Sequence, residues 1–296
     1  MNGTIKGIQC AAVAAGLVIL CLLASKDQSP VSRETAAERV RKQEMTYQFV
    51  DVLGNQYEAE LLDGVPLCGY DYSRLDEQDG YKCYIGADGE IRSAVGIDVS
   101  KYQSEVDWAK VKASGVDFVI VRLGFRGYGS EGKLAEDEKF RAHVEGALSA
   151  GLEVGVYFFS QAVSDDEALE EAQFVLERLK GYEITGPVVF DTEEIKDAEA
   201  RTDGLAGEQF TENCITFCDA VEAAGYRPMI YANMKWMAFT LDLTRLTEYE
   251  KWYADYEAVP QCPYEFSIWQ YTESGTVPGV EGNVDINVWF ERRERR

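Results

Sequence analysis

Histidine is almost missing from this 296-residue sequence; His143 is the only one. A catalytic unit of the Ser-His-Asp or Cys-His kind would have to use that residue, and metal sites built from several histidines are excluded. His143 falls in "EDEKFRAHVEGALSAGL", where Phe140, Val144, Ala147 and Leu148 recur at helical spacing. It therefore rides on a helix flank and reads as a structural or surface residue. Basic residues are scarce too: 29 Lys and Arg stand against 52 Asp and Glu, a formal net charge of −23. That imbalance argues against binding to nucleic acid or anionic lipid and favours solubility. No CxxC pair is present, which argues against a structural zinc site. No metal or cofactor is expected, and carboxylates are the natural carriers of any chemistry.

Long apolar runs are also few. One stands out, "IQCAAVAAGLVILCLLA" (Ile8–Ala24), preceded by Lys6 and followed by a polar stretch. It reads as a signal peptide or a short single-pass membrane anchor. A small-x-small cleavage site is lacking, because Leu22 or Leu23 would occupy the outer small position. The expectation is an uncleaved anchor, with Lys6 inside and the bulk of the chain on the extracytoplasmic side. Of the seven cysteines, Cys10 and Cys21 lie in this run, leaving Cys68, Cys83, Cys214, Cys218 and Cys262. Five is odd, so at least one thiol stays free or pairs between chains. Cys68 and Cys83 flank a polar loop and are the expected disulfide. Cys214 and Cys218 share a helical face with Phe210 and Val221 and read as buried apolar residues.

Composition then divides the chain. Residues 1–25 form the apolar segment and 26–45 a charged linker. Residues 46–92 form a small β-rich accessory region with several tyrosines, and 93–291 carry a repeating rhythm. Strand-like "VGIDVS", "DFVIVRLGF", "EVGVYFFS", "PVVFDTEE" and "RPMIYAN" each precede a helix-like stretch, the mark of a parallel sheet covered by helices. After "KWYADY" the gaps to "FSIWQY" and "NVDINVWF" shrink to about a dozen residues, at the short limit for a parallel crossover. The last three strands are expected to be joined by loops, some of them antiparallel. Five βα units plus three strands make eight, a barrel count.

The strand ends carry the chemistry. "GPVVFDTEE" runs from a buried strand directly into Asp191, Glu193 and Glu194, and buried acids are costly unless paired or functional. Residues two apart share a strand face, so Asp191 and Glu193 project together. The first strand ends in Asp98 and the last holds Asp285, while Arg122, Tyr157, Tyr231, Trp269 and Gln270 sit near the ends of others. In barrels the carboxyl-terminal strand ends build the active site. Clustered acids with aromatic platforms suit glycoside hydrolysis, in which one carboxyl stays protonated to protonate the leaving oxygen and a second assists the oxocarbenium-like centre or a water.

The motifs "GIDVSKYQSEVDW", "VIVRLGF", "GLEVGVYFF", "VVFDTEE", "PMIYAN", "WYADY" and "IWQYTESGTVPGVEGNVDIN" resemble, in order over roughly 95–290, the family 25 glycoside hydrolases, the Chalaropsis-type lysozymes. The resemblance implies an α/β fold, a modified TIM-like barrel of five βα units and three strands. It implies cleavage of the β-1,4 bond between N-acetylmuramic acid and N-acetylglucosamine in peptidoglycan. It also implies Glu193 as general acid, Asp191 as orienting or stabilising group, and Asp98 and Asp285 in the acidic cluster. Arg122, Tyr157, Tyr231, Trp269 and Gln270 would bind substrate. Ser104, Phe158 and His143 depart from the family pattern, with Phe158 expected to alter a polar contact in the cleft.

Other readings are weaker. "GYGSEG" (Gly127–Gly132) fits G-x-G-x-x-G, but no helix start is poised at its glycines; a flexible loop at the cleft rim is expected. The chitinase motif D-x-x-D-x-D-x-E fails at Gly186 and Val189. Two rivals from another class are a wall-binding pseudoenzyme and a partner-binding function of 46–92. Tyrosines of that region buried against the barrel would remove the second.

Overall fold

Short β-branched runs, each flanked by a turn and an amphipathic helix, set the architecture of this computed structural model, which describes residues 45–195 and 198–290. The apolar segment and nearly all of the charged stretch after it lie outside those residues. Thr46 onward forms one compact unit. Two hairpins come first: β1 (Thr46–Val50) with β2 (Gln56–Glu60), and β3 (Leu75–Gln78) with β4 (Tyr81–Tyr84). The second turns on Asp79-Gly80, both with positive φ (53° and 85°), the combination that matches strand twist in a two-residue hairpin.

The barrel follows. Its elements are β5 (Ser93–Val99), α1 (Trp108–Ala113), β6 (Phe118–Arg126), β7 (Leu134–Glu136), α2 (Phe140–Ser149), β8 (Glu153–Phe159) and α3 (Asp165–Leu179). Then come β9 (Val188–Asp191), α4 (Gly207–Ala223), β10 (Pro228–Asn233), α5 (Met234–Phe239), β11 (Glu250–Ala254), β12 (Ile268–Gly275) and β13 (Val284–Phe290). Hydrogen bonding runs β5-β13-β12-β11-β10-β9-β8-β6, and β6 pairs back to β5, so eight strands close on themselves. Barrel strands β5, β6 and β8 through β12 are parallel where they neighbour one another; β13 is antiparallel to both β12 and β5. β11 reaches β12 in parallel through a loop without a helix, and β7 is an antiparallel edge strand on β6.

Alternation along the strands separates two packed layers. Ala94, Phe118, Ile120, Val189, Met229, Trp252, Ile268 and Trp289 pack together and fill the barrel interior. Gly96 is required there: a Cβ at this position would sit 2.2 Å from the Phe118 ring. The opposite faces, with Val119, Val121, Val154, Val156, Val188 and Phe190, join the helices in a second core, as in the Phe190–Phe217 ring contact at 4.9 Å. Ser164 caps α3 by accepting from the Glu167 amide, while the Glu167 side chain accepts from the Val163 N–H, two ends of one capping arrangement.

The accessory region lies against the barrel. Tyr70 stacks on Phe290 at 4.4 Å, Tyr84 meets the same ring at 5.4 Å, Tyr47 contacts Tyr264, and Tyr81 donates to Ser114. None of the six tyrosines of 46–92 is exposed, which removes a tyrosine-lined partner face there. The expected Cys68–Cys83 disulfide is absent; both thiols are free. Leu67 bridges to Tyr264 and the Cys68 N–H donates to Pro263, so Cys68 is tied to the barrel while Cys83 is buried on β4. Cys214 and Cys218 are fully buried on α4 as apolar residues. His143 is buried on α2, its Nε2 3.2 Å from the Ser100 carbonyl, and burial holds its pKa below the ordinary value.

Candidate active site

The inward-facing phase that carries the apolar interior layer continues upward into a polar one. Ala94, Gly96 and Asp98 share a face on β5; Val189 and Asp191 on β9; Met229 and Tyr231 on β10; Ile268 and Gln270 on β12; Trp289, Asn287 and Asp285 on β13. Asp98 and Asp285 are register partners across the antiparallel β13–β5 pair. Three acids, Arg122, Tyr157, Tyr231 and Gln270 therefore meet at one end of the barrel, with Glu193 just past the end of β9, half-buried and close enough to act on the Asp191 carboxyl.

Gln270 is the hub. Its Nε2 donates to Asp98 Oδ2 at 3.0 Å and Asp285 Oδ2 at 3.2 Å, and its Oε1 accepts from Tyr231 at 3.0 Å and Tyr256 at 3.2 Å. All four hydrogen-bonding capacities of the amide are thus used within the protein. Asn287 Nδ2 adds a 2.8 Å bond to Asp98 Oδ2, and Asn287 Oδ1 accepts from Trp252 Nε1 at 2.7 Å. Arg122 is held by Asp137, whose Oδ2 lies 2.7 Å from its guanidinium, and packs over the Tyr102 ring.

The electrostatics of this layer favour protons. Burial raises Asp98, with the Asn287 and Gln270 bonds opposing. Asp191 is pushed well above the carboxylate range by burial, then by the charges of Glu193 and Asp98, with Arg122 opposing. Asp285 is pushed up to about 9 by burial and by Asp98. Carboxyls crowded this closely share protons as a set. Asp191 Oδ1 is buried with no hydrogen-bond partner, a costly state for a polar atom. Among the described residues, no group of three or more His, Cys, Asp or Glu is arranged to hold a metal ion.

Two expected features move. Trp269 faces outward, fully buried, its Nε1 donating to the Asp255 carbonyl at 2.6 Å and its ring under Lys82. It does not reach the cleft, because Gln270 takes the inward phase. Phe158 likewise points away from the interior, against Phe174 of α3, so it alters no cleft contact. The "GYGSEG" loop is the β6–β7 connection, fastened by Arg126 donating to the Gly132 carbonyl and by the Arg201 amide donating to Tyr128. Sequence reasoning missed Trp252, Tyr256, Asn287 and Asp137. The first three lie inside motifs already singled out, "WYADY" and "NVDIN", and Asn287 is two residues from Asp285, which is the signal for a shared face.

Comparison with known proteins agrees with this architecture. Residues 97–280, more than half of the chain, match the profile of the glycosyl hydrolases family 25. The chain belongs to that family. It is 26% identical over 197 residues to the autolytic lysozyme of Clostridium acetobutylicum, covering 66% of this chain and 56% of that protein. It is 27% identical over 202 residues to lysozyme M1 of Streptomyces globisporus, covering 65% and 66%. The chain thus spans less than two thirds of either relative. In fold it is similar to the modular autolysin LytC of Streptococcus pneumoniae, with a TM-score of 0.60 at 23% identity over 82% of this chain and 56% of that one.

Proposed function

We propose that this protein hydrolyses peptidoglycan, cleaving the β-1,4 bond between N-acetylmuramic acid and N-acetylglucosamine. The observation that carries the reading is the convergence of Asp98, Asp191, Glu193 and Asp285 at one end of a closed barrel, with only one arginine, itself bound to Asp137, among them. Glu193 is the general acid. It stands at the strand exit, half-buried, where a glycosidic oxygen could reach it. Asp191, one turn of the pleat below, orients or stabilises the reacting centre, and its unpartnered Oδ1 is an acceptor for a substrate N–H or O–H. Asp98 and Asp285 complete the acidic floor, and Arg122, Tyr157 and Tyr231 contact the sugar. No step needs a cofactor.

The location that fits is extracytoplasmic, with Ile8–Ala24 in or through the cytoplasmic membrane as an anchor, or removed on secretion. That segment lies outside the described residues, among which no helix is long and apolar enough to cross a membrane. Membrane fractionation of cells making the full chain tests this: extraction by detergent but not by salt is expected of an anchor.

The catalytic assignment is tested by Glu193→Gln, which removes the proton and keeps the shape. Release of soluble fragments from purified peptidoglycan should fall by about 10²–10⁴-fold, the usual worth of a general acid, with sedimentation onto the wall retained. Unchanged release would take Glu193 out of the acid role. Wall binding without any release by the unsubstituted protein would favour the pseudoenzyme reading.

A further inference from the structure

The acids at the barrel floor are wired in one direction, and the wiring begins at a group that can only donate. The Trp252 indole has an N–H and no acceptor. It donates to Asn287 Oδ1 at 2.7 Å, which fixes the Asn287 amide so that its NH2 must face the other way, onto Asp98 Oδ2 at 2.8 Å. Gln270 repeats the pattern: two tyrosine hydroxyls occupy its carbonyl oxygen and its NH2 reaches Asp98 Oδ2 at 3.0 Å. One oxygen of Asp98 thus receives two amide N–H groups, whereas Asp285 receives a single, longer one at 3.2 Å. Trp252, Asn287 and Gln270 are each no more than 2% exposed, so water does not compete for these bonds.

The Asp98 and Asp285 carboxyls lie within hydrogen-bonding reach of each other, and two carboxyls in contact hold one proton between them. We propose that Asn287, aligned by Trp252 and seconded by Gln270, is a positioning residue that fixes this proton on Asp285 and the negative charge on Asp98. This rests on the hydrolase reading given above and deepens it. Asp98, ionised, faces Asp191, Tyr157, Tyr231 and Tyr256; Asp285 faces Glu273, Glu193, Tyr157 and Tyr256. A charge placed on Asp98 disfavours a second one on Asp191. Proton placement at the floor therefore sets how many of the upper acids are charged when substrate arrives. Asn287 touches no reacting atom and acts through Asp98.

The test is a carboxyl-carbon NMR titration of the full chain labelled at aspartate, with the two signals assigned from Asp98→Asn and Asp285→Asn. In the unsubstituted protein at about neutral pH, Asp98 is expected to be ionised and Asp285 protonated. Trp252→Phe keeps a ring and removes the donor. By freeing the Asn287 amide to turn from Asp98, it should reduce the preference for the proton on Asp285 by about tenfold, roughly the worth of one hydrogen bond. A proton found on Asp98, or both groups ionised, overturns the proposal in the unsubstituted protein alone, whether or not the variant folds. An unchanged distribution in folded Trp252→Phe overturns the role of the relay. Because no substrate is needed, failure of hydrolysis would count against the proposed activity and leave this result standing.

Discussion

Strand β6 carries two arginines four residues apart that end in opposite kinds of acid cluster. Arg126 lies outside the barrel, buried, with Nε 2.7 Å from Glu171, one terminal nitrogen 2.8 Å from Glu170 and the other on the Gly132 carbonyl. Nearby, Arg201 clasps Glu167 with two bonds at 2.7 and 2.9 Å. Three glutamates thus face two guanidiniums. Inside, Arg122 is already engaged by Asp137, and Asp98, Asp191 and Asp285 face mainly one another. Arg126 and Glu171 are as buried as the inner acids, but only the outer cluster has most of its charge offset by cations. Paired acids fasten the β6–β7 loop and α3 to the barrel, and the crowded inner acids, whose neighbour Arg122 is already engaged by Asp137, have no such structural return. Burial alone, which also lifts Glu171 to about 7, does not distinguish the inner carboxylates from the outer ones; the shortage of counter-charge does.

The comparison breaks first at its outer arm. Arg126→Leu leaves Glu171 buried without its counter-charge, and should cost about 3–5 kcal/mol, read as a fall in the urea midpoint. A loss below about 1 kcal/mol would mean that the outer cluster is not a structural tie. The inner arm should respond in the opposite sense. Asp191→Asn removes a crowded charge while keeping its shape. It is expected to lower peptidoglycan release by about 10²-fold or more and to leave stability unchanged or higher, as at sites where function is held against stability. Destabilisation together with full activity would reverse the two roles.

A smaller effect sharpens the electrostatic side. The folded Asp285 carboxyl sits near 9 against an ordinary 3.8. The native state therefore binds the extra proton between those values. The stability tied to that proton is fully present below the unfolded pKa and is lost as the pH rises through the folded one. Asp285→Asn should stabilise by about 1–2 kcal/mol at pH 8 and by less at pH 5, in paired thermal melts. An equal shift at both pH values would show that the group is not held protonated. Smallest of all, reducing agent should leave the melting temperature of the unsubstituted protein unchanged, since Cys68, Cys83, Cys214, Cys218 and Cys262 are free thiols.

Strand ends and the inner acids were legible in the sequence because both follow a period of two: Val189 with Asp191, and Asp98 at the close of "VGIDV". The error at Trp269 came from setting that period aside. Trp269 and Gln270 are neighbours, and only one can face inward; the bonds to Asp98 and Asp285 require it to be Gln270. Asn287 was missed, although the same period marks it as the inward residue two beyond Asp285. The outer cluster was not legible, since Arg126, Glu171 and Arg201 meet only through packing of β6, α3 and the loop before α4. Nor was the docking of the accessory tyrosines, whose partners Tyr264 and Phe290 lie some 200 residues away in sequence. The Cys68–Cys83 expectation rested on local spacing, and a bond from Cys68 to Pro263 overrode it.

The central claim is that the uncompensated acids cut glycan. Purified peptidoglycan digested by the protein, with released fragments identified by mass spectrometry, tests it most directly. Fragments ending in reducing N-acetylmuramic acid are expected. Reducing-end N-acetylglucosamine would place the cut at the other glycosidic bond, and no released fragment from a wall that the protein still binds would contradict the account.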